Sequence, residues 1–161
     1  YAMRKLKSVD ITAQDYLKVM YENLLPHEFI QRINECPIAY LPLGTLEWHA
    51  KHLPLGSDGI QSRGCFQRLA MEIGGIVLPM LFLGPDYRYT DSDGQSYYGM
   101  DCHSFESGYR QQLPGSAYYV EHNLFDTILD NVVGNLVRAG FGIIILYPFS
   151  GSKRDISSTH Q

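Results

Sequence analysis

Apolar and polar positions along the chain follow two rhythms. Short, almost wholly apolar runs recur at Ile38-Ala39-Tyr40-Leu41-Pro42-Leu43, at Ile76-Val77-Leu78 and at Phe141-Gly142-Ile143-Ile144-Ile145-Leu146. The segments between them place apolar residues three and four apart, the period of a helix with one buried face. Pro26 suits the first turn of a helix running to about Glu35, since a helix start leaves its N–H groups without partners anyway. Phe29, Ile30 and Ile33 would be its apolar face. Ser57 or Asp58 can cap a second helix that runs to Ile73 and stops at Gly74-Gly75. The third is the most regular: Leu124, Ile128, Val132 and Leu136, with Phe125, Leu129, Val133 and Val137 beside them, end at Gly140. Continuous apolar strands alternating with helices predict an α/β fold, a mainly parallel sheet with helices on both faces. In such sheets, sites form beyond the carboxyl ends of the strands. From Gly84 to Ser116 no period holds, and the reading is a long irregular loop. Its tyrosines (Tyr87, Tyr89, Tyr97, Tyr98, Tyr109) would line a pocket or interface, or simply anchor a surface loop.

Composition narrows the picture. At 161 residues the chain is expected to be a single domain over 1–161. Hydrophobic residues at 45% and charged residues at 19% exclude disorder from low hydrophobicity. Thirteen basic against 17 acidic residues, a net −4, argue against a nucleic-acid-binding face. Cys36, Cys65 and Cys102 have no Cys-x-x-Cys spacing, so no disulfide framework is expected, and a reducing, cytoplasmic setting is. No apolar run approaches the roughly 20 residues that span a bilayer. Tyr1-Ala2-Met3-Arg4-Lys5 opens without a signal-peptide core. The expected partner is a small molecule, not nucleic acid or membrane.

Just past the first strand, Gly44 to Asp58 hold Glu47, His49, His52 and Asp58. Glu47 and His49 are two apart and leave the same face of an extended chain. Pro54 and Gly56 interrupt the stretch, so it can fold back and bring Asp58 to them. Two carboxylates and an imidazole suit a borderline cation such as zinc or manganese, and an Asp can bridge two ions. A plainer reading leaves Asp58 as a helix cap and His52 as a loop hydrogen-bonder, with Trp48 and Leu53 as packing residues. His27 and His122 sit in or beside helices and read as structural. His103 and Glu106, in the long loop, are outside candidates for the site.

The whole run Pro42-Leu43-Gly44-Thr45-Leu46-Glu47-Trp48-His49-Ala50-Lys51-His52-Leu53-Pro54-Leu55-Gly56-Ser57-Asp58 resembles the signature of the creatininase (creatinine amidohydrolase) family. Members typically read Pro-x-Gly-Ser-x-Glu-x-His-Gly-x-His-Leu-Pro-Leu-x-x-Asp there. Leu113-Pro114-Gly115-Ser116 resembles the family's Pro-Gly-Thr segment, and the resemblance runs from about Pro26 to Leu146. It implies a creatininase-like fold and a metal-dependent amidohydrolase, cleaving a non-peptide or small-peptide C–N amide bond with water activated by two metal ions. By the match, Glu47 would bind one ion, His49 the other, and Asp58 both; zinc, manganese or iron would serve. The substrate would be a small-molecule amide, and the assembly a homo-oligomer, with a hexamer as the common family form.

Two departures stand out. Ala50 replaces the usual Gly after the metal-binding His. The family's next ligand, a His just after the strand corresponding to Phe141–Leu146, is missing: without gaps Phe149 stands there, and alignment on Tyr147-Pro148 omits it. His160 lies too far along to replace it. The family's C-terminal third, with its proton-transfer residues, is expected to lie beyond this chain. An uncovered Ile143–Leu146 strand would present an apolar edge and favour self-association. The alternative reading is therefore a noncatalytic homologue, acting as a binding or assembly subunit. A third class, a carbohydrate- or nucleotide-binding module built on the tyrosine-rich loop, is disfavoured for nucleotides by the absence of a Gly-rich phosphate loop.

Overall fold

A computed structural model describes residues 18–49, 51–104, 110–112 and 115–148. Ala50, Glu106, Tyr109, Leu113, Pro114, Phe149 and His160 lie outside the described residues, as do the side chains of Cys102 and His103. Helix α1 (Pro26–Glu35) begins at its proline, and Glu28 Oε2 accepts a hydrogen bond from the Leu25 N–H at 2.9 Å. Strand β1 (Ile38–Leu43) leads through a loop to α2 (Ser57–Ile73) and β2 (Ile76–Val77). Two small hairpins follow: β3 (Arg88–Thr90) with β4 (Ser96–Tyr98), and β5 (Cys102–Ser104) with β6 (Arg110–Gln112). Helix α3 (His122–Arg138) and strand β7 (Ile143–Pro148) complete the described chain.

The main sheet has the order β2-β1-β7 and is parallel throughout. Ala39 pairs with Ile76 on one side of β1 and with Ile144 on the other. Alternation along β1 then builds two cores. Ala39, Leu41 and Leu43 join Ile76, Leu78, Phe125, Leu136 and Phe141, with Phe29 and Ile33 of α1 packed against them. Tyr40 faces the other way, onto Met20, Val77, and Phe66 and Ala70 of α2. Helices cover both faces, as the apolar runs predict. Each buried Leu or Ile contributes about 1.5–3 kcal/mol.

The structure corrects several details. Ile30 is exposed, because it lies about 100° round the helix from the Phe29–Ile33 face. Along α3 the core stripe is Phe125, Leu129, Val132 and Leu136, while Leu124 and Val137 are exposed. A row of every fourth residue drifts round a helix, so a straight buried stripe must mix steps of three and four. Neither Ser57 nor Asp58 caps α2; its N-cap is Gly56, which makes no side-chain bond. Leu53 is exposed rather than packed. The stretch from Gly84 to Ser116 is not wholly irregular, since it holds both hairpins. The first turns at Asp91, whose Oδ1 accepts the N–H groups of Asp93 and Gln95 at 3.0 and 2.9 Å. Among the described residues no helix is long and apolar enough to cross a membrane.

Candidate metal centre

The loop after β1 is positioned by close backbone contact. A Cβ on Gly44 would stand 2.6 Å from the Gly59 Cα, inside the first turn of α2. Only hydrogen at residue 44 lets the strand end meet the helix start. The loop then folds back on itself: the Glu47 N–H donates to the Leu55 carbonyl at 2.9 Å, and Ser57 N–H to the Pro54 carbonyl at 3.0 Å. Trp48 is buried and anchors the turn, whereas Lys51 and His52 are exposed.

This path brings Glu47, His49 and Asp58 together, with one ligand atom from each lying within 4.8 Å of the others. His49 Nδ1 lies 3.3 Å from the Glu47 carbonyl oxygen. With the Nδ1 proton donated there, Nε2 presents its lone pair to Asp58 Oδ1 at 3.1 Å and Glu47 Oε1 at 3.4 Å. Three electron-rich atoms facing one another are held together by a cation, or by a proton on the ring. Asp58 and Glu47 are both buried. The spacing argument for Glu47 and His49 and the fold-back to Asp58 therefore match the geometry. His52 is exposed and is not one of this group.

Sequence reasoning missed Asp86. The segment after β2 runs beside the end of β1, with the Leu81 N–H donating to the Pro42 carbonyl at 3.1 Å. It carries Asp86 to the Glu47 carboxyl. That carboxyl is pushed up to about 8, first by burial, then by its contact with Asp86 and the charges of Asp86 and Asp58. The Met100 N–H, donating to Glu47 Oε2 at 3.3 Å, works in the opposite direction. Gly99, with φ +54°, closes over this contact; any Cβ there would collide with Glu47 Oε2 and Asp86 Oδ2. Nothing local marks Asp86 in Gly84-Pro85-Asp86. The usable signal is that it follows β2, and so belongs to the same end of the sheet.

Asp101, which is buried, is another acid that the sequence does not single out. Its Oδ1 accepts from the N–H groups of Gly115 and Ser116 at 2.8 and 3.1 Å, and its Oδ2 from the Tyr98 N–H at 3.2 Å. It holds the Gly99–Met100 backbone in place over Glu47. Beside Asp86 lies a small cleft lined by Thr45, Leu46, Gly84, Asp86, Ser116, Tyr118 and Tyr119. Of the expected pocket tyrosines that lie among the described residues, Tyr87, Tyr89, Tyr97 and Tyr98, none lines this cleft. Tyr97 is buried, Tyr89 and Tyr97 stack, and Tyr98 packs on Tyr119.

Comparison with known proteins agrees with this architecture. The family described as Creatininase: Creatinine amidohydrolase matches residues 22–151. No curated protein matches the sequence significantly. Among solved structures, creatinine amidohydrolase (creatininase) is similar at TM-score 0.62 and 22% identity, covering 81% of this chain and 44% of that one. A manganese creatininase gives TM-score 0.61 at 21% identity, over 81% and 44%. A creatininase variant complexed with creatine gives 0.61 at 22%, over the same shares. The match thus spans less than half of these solved chains.

Proposed function

The chain belongs to the creatininase family, and from that premise we propose that it is a metal-dependent amidohydrolase whose Glu47, His49 and Asp58 hold a divalent cation. The observation that carries this is the meeting of one imidazole nitrogen and two carboxylate oxygens within 4.8 Å, in a buried loop at the carboxyl end of the sheet. The donor set fits zinc, manganese or iron, and relatives include manganese and Zn-Zn forms of creatininase. A bound pair of ions would polarise an amide carbonyl and lower the pKa of water. The chain's own residues supply the rest. The Glu47 carbonyl fixes the His49 ring so that Nε2 faces the cation position. The Met100 N–H orients Glu47 Oε2, and burial of Glu47 and Asp58 keeps competing water away. The substrate class is a small-molecule amide, in keeping with the creatine complex of one relative.

A second reading, a noncatalytic family member, is favoured by one observation: Phe149 stands where the family carries an imidazole. Metal analysis separates the two. The chain should retain zinc or manganese after gel filtration, and H49A and D58N should each weaken binding at least about tenfold. A chain that takes up no metal near neutral pH would overturn the hydrolase reading and favour the second.

A further inference from the structure

Asp101 is buried, at 3% exposure, and among the described residues its carboxylate is met by no lysine or arginine. Backbone meets it instead. Oδ1 accepts the N–H groups of Gly115 and Ser116 at 2.8 and 3.1 Å, and Oδ2 accepts that of Tyr98 at 3.2 Å. The Ser116 hydroxyl lies 3.1 Å from the Tyr98 carbonyl and 3.3 Å from Asp101 Oδ1, between the two sides. Hydrogen bonds to an ionised acceptor are about twice as strong as neutral ones. A carboxylate also accepts at both oxygens, whereas an amide would turn an NH2 toward one set of these donors.

Both arms of this clamp end on the metal loop. One arm runs Tyr98-Gly99-Met100, and the Met100 N–H donates to Glu47 Oε2 at 3.3 Å. The other is Gly115, where a Cβ would stand 3.4 Å from the Trp48 nitrogen and 3.3 Å from Leu55 Cδ2. Trp48 follows Glu47 in the chain, and the Leu55 carbonyl accepts the Glu47 N–H at 2.9 Å. Glu47 is therefore gripped at its carboxyl by one arm and along its backbone by the other. Building on the metal-centre reading, we propose that Asp101 is a positioning residue for the cation: it acts through Glu47, fixing where that carboxylate presents its oxygens.

The test is calorimetric titration of the metal-free chain with manganese, comparing the wild type with D101N and with L129A. Leu129 packs against the core on α3, away from the metal loop, so L129A reports what lost stability alone does. D101N should weaken manganese binding about tenfold, and L129A by less than about twofold, with both chains shown to be folded by urea unfolding in EDTA. Cobalt(II) gives a second readout: its visible absorption bands should move in D101N, as Glu47 is re-aimed, and stay in place in L129A. If D101N does not fold, S116A probes the same clamp by removing the hydroxyl between its sides, and should weaken manganese binding about threefold. Wild-type affinity in the folded D101N chain, or in S116A where D101N does not fold, would overturn the proposal while leaving the metal centre standing. So would an equal loss in L129A. A wild type that binds no manganese would remove both.

Discussion

Among the described residues Glu47 carries the strongest conflict: a carboxyl buried against two other acids, facing an imidazole on one side. Its pH behaviour follows. A carboxyl at about 8 when folded, against an ordinary 4.5, holds its proton more tightly folded than unfolded. The metal-free chain therefore has this stability in full below about pH 4.5 and loses it as pH rises through about 8. Melting temperatures in EDTA should fall across that window, and E47Q should flatten the decline. With metal present the sign reverses, because the ligand is the deprotonated form and binding strengthens as pH rises. At this scale Glu47, His49 and Asp58 were legible, since they lie in one loop and their spacing alone puts them within reach. Asp86 was not, because its partner is distant in sequence and only the parallel pairing of β2 with β1 makes them neighbours.

The elements were readable wherever punctuation was strong. Pro26 opens α1, and Gly74 and Gly75, with φ of +104° and +93°, carry the chain from α2 into β2 where a side chain would be strained. What periodicity could not fix was which side of a helix is buried, as Ile30 and Leu124 show. Nor could it find hairpins of three-residue strands, too short for any alternation to register. The joint that most affects the site is Gly44 against Gly59. The G44A substitution forces a methyl into the α2 backbone and should cost about 1–3 kcal/mol, seen as a lower urea midpoint. Because α2 begins with Ser57 and Asp58, the same change should weaken metal binding as well. An unaltered metal affinity in G44A would mean that the loop, not this joint, sets the distance between His49 and Asp58.

At the scale of the whole molecule, β7 is an edge of the main sheet among the described residues. Ile143, Ile145, Leu146 and Tyr147 are all more than a third exposed along it. One face of the strand packs through Ile144 into the core, so the edge is firmly placed and ready to receive another strand. The chain should self-associate at micromolar concentration, and I145K should return it to monomers in sedimentation velocity runs. Wild-type monomers at those concentrations would count against an edge-driven assembly. Asp101 has a wider consequence. The strands leaving and returning through β5 and β6 both stand on its single carboxylate, through Tyr98 before them and Gly115 and Ser116 after. The excursion is thereby tied off at its base, like a handle bolted on at one plate. Evolution could lengthen, shorten or rewrite that handle while the Glu47–His49–Asp58 cluster beneath stayed where it was.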